Sequence, residues 1–447
     1  MRHFCEILGL VAVFAAWVGL AMMVLWPLWK RRLGAALKGA RTTPLRASLA
    51  LGAVALMVVY GGSKPTPPPP AIDWTYTISN GKATVTGATN PIVGDVVIPT
   101  ELGGAPVVAL KGELFRGNSR ITSVVVGDGV TTIPARTFYW CSKLRRVTLP
   151  DTVTKIYSQA FQGCAALESV NLGKGVTLIA ENAFMSCTSL KAVNFPFGLK
   201  SIGRAAFMNC TSLKSVVLPH SVTSLSSYTF SGCTSVESVQ LSISLKAVNT
   251  YAFENCTALG EVEIPNGPTT LAGYAFSGCT ALSNVTFSTS VAYLNWGAFQ
   301  NCGALRTLAI PERCGYVNDH AFAGCAGLES VSLVMSQYRP LVNYFPDSAA
   351  TIREVELLEG TPGVAVRAFQ NCTALTRVSV PASVRNVYWQ AFDGCTALES
   401  LYLPDALEKV SGYAFNNCTG LRELSLPAKA SVVSTAYTGL KIQPTLR

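Results

Sequence analysis

The stretch AFQGCAALESVNL, residues 160–172, decides the fold because its pattern returns every 23 residues along most of the chain. Cysteines recur at intervals of 23 from Cys141 to Cys325, and again from Cys372 to Cys418. A phenylalanine stands three residues before each of these cysteines. A fixed period of roughly 20 to 50 residues is the mark of a repeat protein, so the chain is interpreted as a row of stacked units.

The phenylalanine spacing reaches further than the cysteine spacing. Phe115 and Phe345 both keep it, with Asn118 and Ser348 standing where a cysteine is expected. The step from Phe345 to Phe369 is 24, because one residue is inserted between Phe345 and Ile352, and the spacing predicts fourteen repeats in all. The predicted buried ladder of four consecutive repeats consists of Phe161, Cys164, Phe184, Cys187, Phe207, Cys210, Phe230 and Cys233.

Each repeat is expected to contain one short strand and one tight turn. Val170 and Leu172 flank a polar residue, the alternation of a strand with one buried face. A proline follows the second apolar position in many repeats and ends the strand, because proline lacks a backbone N–H. The Ala-Phe-x-x-Cys segment is predicted to be a helical or 3₁₀ turn. Together these features predict an α/β repeat solenoid with short parallel strands.

The repeat resembles that of the BspA-like leucine-rich-repeat surface proteins, whose units carry the pattern A-F-x-x-C-x-x-L-x-x-V-x-L-P. The resemblance covers about residues 72–440. It implies a right-handed leucine-rich-repeat superhelix and attachment to cell surfaces, including to matrix proteins. Residues 72–110 resemble the N-terminal segment of that family and are predicted to cap the solenoid, because terminal repeats must cover the open end. Residues 111–433 would form the repeats and residues 434–447 a C-terminal cap.

Two uncharged apolar segments precede the repeats, at residues 7–29 and 47–63. A helix of about 20 residues spans a bilayer, so the first is long enough and the second lies at the lower limit. The loop between them, residues 30–46, is basic, and the positive-inside rule places it in the cytoplasm. The prediction is a membrane anchor over residues 1–63, a Pro-rich linker over residues 64–71, and an extracytoplasmic repeat region at the cell surface or in the periplasm.

Two other interpretations of the second apolar segment stay open. Residues 41–63 also fit a late signal peptide, with small residues near a cleavage site. A buried core helix is the third possibility, although the Pro-rich linker follows it directly. The first two interpretations both export the repeats.

The charge distribution argues against a nucleic-acid partner. Of the net charge of +10, residues 1–64 carry +7, from eight basic residues and one acid. The remaining residues hold 27 basic and 24 acidic side chains, or +3. Phosphate binding requires a concentrated basic stripe, and this near balance provides none.

The cysteine ladder is interpreted as packing rather than chemistry. Metal sites use pairs of cysteines with roughly two to four residues between them. The ladder cysteines are 23 apart, and the chain holds only three histidines. Disulfides between stacked coils are within reach, since neighbouring coils lie about 5 Å apart. The preferred interpretation is a buried small thiol beneath each turn. We expect no metal and no cofactor, and we find no catalytic motif around His220 or His320.

Aromatic residues just before the phenylalanine column form the candidate binding surface. Such a stripe is suited to stacking on sugars or to anchoring a partner protein, and its alternative role is to cover the flank of the solenoid. The candidate residues are Tyr228, Tyr251, Tyr274, Trp296, Trp389 and Tyr413.

A second candidate surface is the middle residue of each strand, which should face outward and is mostly small and polar. The column consists of Val125, Thr148, Asn171, Asn194, Val217, Gln240, Glu263, Thr286, Ala309, Ser332, Glu356, Ser379, Tyr402 and Ser425.

The sequence therefore favours a membrane-anchored, non-enzymatic recognition or adhesion module that binds a protein or a glycan. A structural scaffold of the cell envelope is the alternative, in which the solenoid would organise other membrane or periplasmic proteins.

Overall fold

A computed structural model describes residues 71–440 and 442–447. Pro70–Arg447 form one compact unit. The predicted membrane spans, the basic loop and nearly all of the linker lie outside the described residues. Within the described part of the chain, no helix combines the length and the apolar character that crossing a membrane requires.

The N-terminal segment folds as a small mixed sheet. Its four strands are β1 (Trp74–Ser79), β2 (Lys82–Ala88), β4 (Glu101–Leu102) and β5 (Ala105–Leu110). The strands β1 and β2 form an antiparallel hairpin, and β5 pairs in parallel with β2.

Each coil contributes one short parallel strand to the front of the solenoid, and the sixteen strands form four successive hydrogen-bonded sheets of five, four, four and three strands, together called the front sheet. Fourteen come from the repeats, and each predicted end segment adds one. The front strands are β3 (Gly94–Ile98), β6 (Ile121–Val126), β8 (Arg146–Thr148), β10 (Ser169–Asn171), β12 (Ala192–Val193), β14 (Ser215–Val217), β16 (Ser238–Gln240), β18 (Glu261–Ile264), β20 (Asn284–Phe287), β22 (Thr307–Ala309), β24 (Ser330–Leu333), β25 (Glu354–Leu357), β27 (Arg377–Ser379), β29 (Ser400–Tyr402), β31 (Glu423–Leu426) and β33 (Thr445–Leu446).

A second row of two-residue strands runs along the back. Its strands also pair in parallel, with Leu178 beside Lys155 on one side and Ser201 on the other. The back strands are β7 (Thr132–Ile133), β9 (Lys155–Ile156), β11 (Leu178–Ile179), β13 (Ser201–Ile202), β15 (Ser224–Leu225), β17 (Ala247–Val248), β19 (Thr270–Leu271), β21 (Tyr293–Leu294), β23 (Tyr316–Val317), β26 (Gly363–Val364), β28 (Asn386–Val387), β30 (Lys409–Val410) and β32 (Ser431–Val432).

The Ala-Phe-x-x-Cys segments are turns, so the predicted helical or 3₁₀ conformation is wrong. The N–H groups of Phe161 and Gly163 donate to Ala183 and Met185 of the next coil, at 2.8 Å each. The intervening N–H of Gln162 donates within its own turn, to Gln159 at 3.2 Å. A helix would direct every N–H along its own segment. Every second donor instead joins two coils, and the fold is a parallel β-solenoid with almost no helix.

The phenylalanine column forms the centre of the solenoid. Phe138 and Phe161 stack with ring centroids 5.0 Å apart and planes 6° apart, and equivalent pairs follow through Phe322. All these rings are buried. Aromatic residues also close both ends of the column, because Trp74 packs edge-on against Phe115 at 6.2 Å and Tyr437 stacks on Phe415 at 6.4 Å.

The ladder cysteines are free, buried thiols that hydrogen-bond to the preceding coil. The thiol of Cys233 donates to the carbonyl of Phe207 at 3.2 Å, and ten other ladder thiols repeat this contact at the same sequence separation. Asn118 supplies an amide in the same place, donating to the carbonyl of Ile92 at 3.0 Å. The disulfide alternative is therefore not the arrangement found among the described cysteines.

The inserted residue falls in one irregular coil. The short helix α1 (Leu341–Tyr344) stands there in place of a back strand and divides the back row between β23 and β26. The guanidinium of Arg339 lies 4.0 Å from the ring centroid of Tyr344 and donates to Asn343 at 2.8 Å. Beside it is a cavity of about 430 Å³, lined in part by Cys314. The only other helical segment in the described residues is a 3₁₀ helix, Ser434–Tyr437.

The described unit is closed at both ends. The hairpin covers the N-terminal end, and β33 pairs with β31 at the other. The core runs without a break from Ala83 to Ala436. A fragment of residues 71–447 therefore contains every element its core needs, and we expect it to fold independently of the preceding segment.

Candidate recognition surface

Three tyrosines of consecutive coils form a stacked row on the flank of the solenoid. Tyr228 and Tyr251 stack with centroids 4.6 Å apart and planes 14° apart. Tyr251 and Tyr274 follow at 4.9 Å and 3°. The row is held in register because each coil repeats the same backbone 23 residues later. We call these three residues the tyrosine row.

The backbone at each of these tyrosines is left-handed. Their φ angles are 61°, 61° and 59°, and the same conformation occurs in this column in most other repeats. A glycine or asparagine adopts it readily, whereas a bulky side chain does so at a cost of about 1 kcal/mol or more. The tyrosines thus stand at a position where the backbone does not favour a bulky side chain, and other non-glycine residues of the column share this conformation.

The tyrosine row is bordered by Arg204 at one end and by Gly297 at the other. The guanidinium of Arg204 lies over the ring of Tyr228, 5.0 Å from its centroid. At the other end Gly297 occupies the column, and a Cβ there would meet the Tyr274 ring at 2.6 Å. The absence of a side chain at Gly297 therefore lets the Tyr274 ring lie flat.

Trp296 lies next to that glycine and stacks on a histidine instead of a tyrosine. Its ring centroid is 4.0 Å from that of His320, with the planes 16° apart. Trp296 remains 47% exposed. The flank thus combines Arg, Tyr, Trp and His side chains over consecutive coils.

The stacking determines which parts of the tyrosines are available. All three tyrosines are half-buried, and each inner ring face is covered by a neighbour, so only ring edges and hydroxyl groups are left for contact with a partner. Burial, followed by the nearby phenols of Tyr228 and Tyr274 and the carboxylate of Glu254, raises the pKa of Tyr251. The Tyr251 hydroxyl therefore remains a protonated hydrogen-bond donor at neutral pH.

Two of the sequence-predicted residues lie apart from the row. Trp389 and Tyr413 belong to coils beyond the irregular coil, and both are about two-fifths exposed. The Arg367 guanidinium lies 4.9 Å from the centroid of Trp389. Tyr413 shares the left-handed backbone, with φ of 57°. The structure therefore brings together Tyr228, Tyr251 and Tyr274, with Trp296 on the neighbouring coil, and leaves Trp389 and Tyr413 separate.

The outward column of the front sheet is a broad polar surface. Most of its members are exposed, including Val217 and Tyr402, whereas Ser425 is buried in the strand that β33 covers. Beside the column, charges of opposite sign alternate, as in Arg145–Glu168 at 3.8 Å and Lys191–Glu168 at 3.6 Å. This pairing keeps the front sheet close to neutral.

The comparisons with known proteins agree on the repeat. The family model described as the BspA type leucine rich repeat region, in six copies, matches residues 109–237, 200–329 and 343–442. No functionally curated protein shows a significant match.

Two solved structures are similar to most of the chain. A leucine-rich repeat protein from Bacteroides ovatus is 26% identical, with a TM-score of 0.54 over 83% of this chain and 91% of that one. A leucine rich cell surface protein from Faecalibacterium prausnitzii is 25% identical, with a TM-score of 0.42 over 84% of this chain and 93% of that one.

Proposed function

Because the chain belongs to the BspA-type leucine-rich-repeat family, we propose that it is a membrane-anchored, exported recognition or adhesion module that binds a protein without catalysis. The observation that carries this proposal is the tyrosine row, with Arg204 at one end and Trp296 at the other. Tyrosine, tryptophan and arginine are the side chains that dominate binding energy at protein interfaces.

The exposed parts of the row favour a protein over a glycan. Sugars bind aromatic residues by lying against a ring face, and the inner faces of this row are covered by stacking at 4.6 and 4.9 Å. Ring edges and hydroxyls remain, which suit backbone and side-chain groups of a protein partner. Tyrosine-rich paratopes of antibodies use the same combination of apolar edge and polar tip.

Rigidity adds to the argument. The tyrosine side chains are fixed by stacking and by a backbone that is bonded to both neighbouring coils. Side chains that are ordered before binding lose less conformational entropy when the complex forms. A row with fixed spacing is therefore an efficient anchor for a partner.

Export and anchoring rest on the sequence. Two apolar segments with a basic loop between them place the repeats outside the cytoplasm by the positive-inside rule. The independent closure of the solenoid at both ends is compatible with its presentation on a linker. Protease added to intact cells and to cells stripped to the inner membrane checks this part. Digestion of the repeats by outside protease supports export, and protection in both samples contradicts it.

Binding is tested with the soluble fragment of residues 71–447. It would be applied to an array of immobilised extracellular-matrix proteins and to a glycan array of matched density. We expect capture by one or more proteins, with a loss of about tenfold in affinity for Tyr251→Ser, as for an interface anchor. Tyr338→Ser, which removes a tyrosine that is 85% exposed and lies outside both candidate surfaces, is the matched control. Capture by glycans that depends on Tyr251 would contradict the choice of partner, and capture only by the cell's own envelope proteins would favour the scaffold.

A further inference from the structure

A second exposed surface lies along one edge, where the chain turns from the front strand to the back strand. In four consecutive coils the outermost residues of these turns are Lys174, Phe197, His220 and Ile243. Phe197 is 93% exposed and Ile243 is 65% exposed. We call these four residues the tip row. A single exposed apolar residue is common in proteins, whereas Phe197 and Ile243 share one column of the edge, two coils apart with His220 between them.

Hydrogen bonds fix the turn that carries Phe197. Leu199 N–H donates to Pro196 at 3.0 Å and closes the turn that carries Phe197. The hydroxyl of Ser221, in the next turn, donates to the carbonyl of Phe197 at 2.6 Å. The Phe197 ring therefore projects from a rigid turn, and no aromatic ring in the described residues stacks against it.

The charge of this edge is of one sign. Lys200 and Lys246 each follow a tip by three residues, and both are exposed, as is Lys174. The six front-to-back turns of this section contain no Asp or Glu: 172–177, 195–200, 218–223, 241–246, 264–269 and 287–292. Asp151, on the tip before Lys174, and Glu312, beyond the last of these turns, border the patch.

We propose that the tip row docks onto the surface of an anionic lipid bilayer, with Phe197 and Ile243 inserted at the headgroup level and the lysines over the phosphates. Aromatic and aliphatic residues combined with lysine are typical of surfaces that lie on membranes. Lysine is depleted at protein interfaces, where tyrosine and arginine are enriched. The two surfaces of the solenoid therefore differ in chemistry, with the tyrosine row suited to a protein and the tip row to lipid.

This inference does not depend on the proposed membrane spans, because the fragment of residues 71–447 lacks them. It also does not depend on the proposed function, since the tip row and the tyrosine row share no residue. Docking would place the solenoid against the membrane along its edge and orient the tyrosine row relative to that membrane.

The test measures co-sedimentation of the fragment with vesicles of phosphatidylcholine alone and of equal parts phosphatidylcholine and phosphatidylglycerol. We expect binding to the anionic vesicles only, weakening with added salt. Phe197→Ser should reduce the affinity about tenfold, and Lys200→Gln about fivefold. Tyr338→Ser removes an aromatic ring that is 85% exposed elsewhere, and it should change nothing.

A fluorescence measurement reports insertion directly. The emission of Phe197→Trp should shift to the blue on anionic vesicles, whereas that of Tyr338→Trp should not. Equal binding to both kinds of vesicle, no binding to either, or an affinity unchanged by Phe197→Ser would overturn the proposal. Because both phenylalanine variants change an exposed side chain, thermal melting of the fragment should remain at the wild-type temperature and verify that the fold is intact.

Discussion

At the scale of single residues, Phe207 and Phe197 lie ten positions apart in the sequence and have opposite environments. Phe207 is fully buried and stacks on Phe184 at 5.1 Å and on Phe230 at 5.5 Å. Phe197 lies on a turn tip and is 93% exposed. The first therefore contributes to the core, and the second is free to contribute to binding.

Replacement of Phe207 by alanine should lower the free energy of unfolding by about 3–5 kcal/mol, because the ring leaves a cavity between two stacked neighbours. The measurement is urea denaturation of the fragment of residues 71–447. Phe197→Ala is the matched control and should leave the midpoint in place. Equal midpoints for the two variants would contradict the assignment of the phenylalanine column to the core.

The sequence was sufficient to predict which residues are buried in the repeats, since a strict 23-residue spacing puts equivalent side chains on top of one another. It was not sufficient to predict the partner of each thiol. The carbonyl that Cys233 reaches lies 26 residues back, a separation that depends on the coil geometry. Ser348 takes the place of a cysteine as Asn118 does, yet its buried hydroxyl has no hydrogen-bond partner within the described residues.

At the scale of the element, the cysteine column makes the solenoid sensitive to alkaline pH. Burial raises the pKa of Cys233 and of Cys279 to about 12, whereas an unfolded cysteine has a pKa of about 8.5. The unfolded chain therefore releases protons that the folded chain keeps. This contribution to stability is complete below about pH 8.5 and is lost as the pH rises toward 12.

We accordingly expect the free energy of unfolding to fall between about pH 8 and about pH 10, by up to about 1.4 kcal/mol per pH unit for each buried thiol. Urea denaturation at the two pH values measures it. The double variant Cys233→Ala, Cys279→Ala should lose less stability over this range than the wild type. An identical loss in both proteins would show that other groups cause the pH dependence.

Two substitutions of Tyr251 distinguish a binding role of the tyrosine row from a purely structural role on the flank of the solenoid. Tyr251→Gly removes the stacking, worth about 0.5–1.5 kcal/mol, and also removes the left-handed strain of about 1 kcal/mol. The two effects oppose each other, so stability should change by no more than about 1 kcal/mol. Tyr251→Ala keeps the strain and should be less stable than the glycine variant by about 1 kcal/mol.

Thermal melting of both variants checks this expectation, and binding to the protein array should be lost in both. A large destabilisation of Tyr251→Gly, similar to that of Phe207→Ala, would instead identify the row as part of the structural flank.

The sequence predicted the column of Tyr228, Tyr251 and Tyr274 from spacing alone. Three of its neighbours were not foreseen: Arg204 lies one position off the column, and Gly297 and His320 occupy the column but are not tyrosines. Gly297 was nevertheless a visible sign of the stacking, because a side chain at that point of the column would crowd Tyr274.

The Ala-Phe-x-x-Cys segment was wrongly predicted to be helical. Left-handed residues lie on either side of most phenylalanines of the column, and they cannot be recognised from residue type when they include tyrosine and arginine.

At the scale of the whole molecule, the repeat fixed the fold class but not the departures from it. Strand stacking and the number of repeats follow from the period. The helix α1 and the cavity beside Arg339 lie before Phe345, where the spacing is still the regular 23, so the spacing gives no sign of them. The end strands β3 and β33 lie in segments where the repeat pattern has decayed, so they were predicted only as caps.

Adhesion mediated by the tyrosine row is tested on whole cells. Cells that produce the full chain would be applied to a surface coated with extracellular-matrix proteins, beside cells that produce the variant Tyr228→Ser, Tyr251→Ser, Tyr274→Ser in equal amount. We expect attachment of the first kind of cell and loss of attachment in the second, with the same amount of repeat region digested by external protease in both. Equal attachment of the two kinds of cell would contradict the claim.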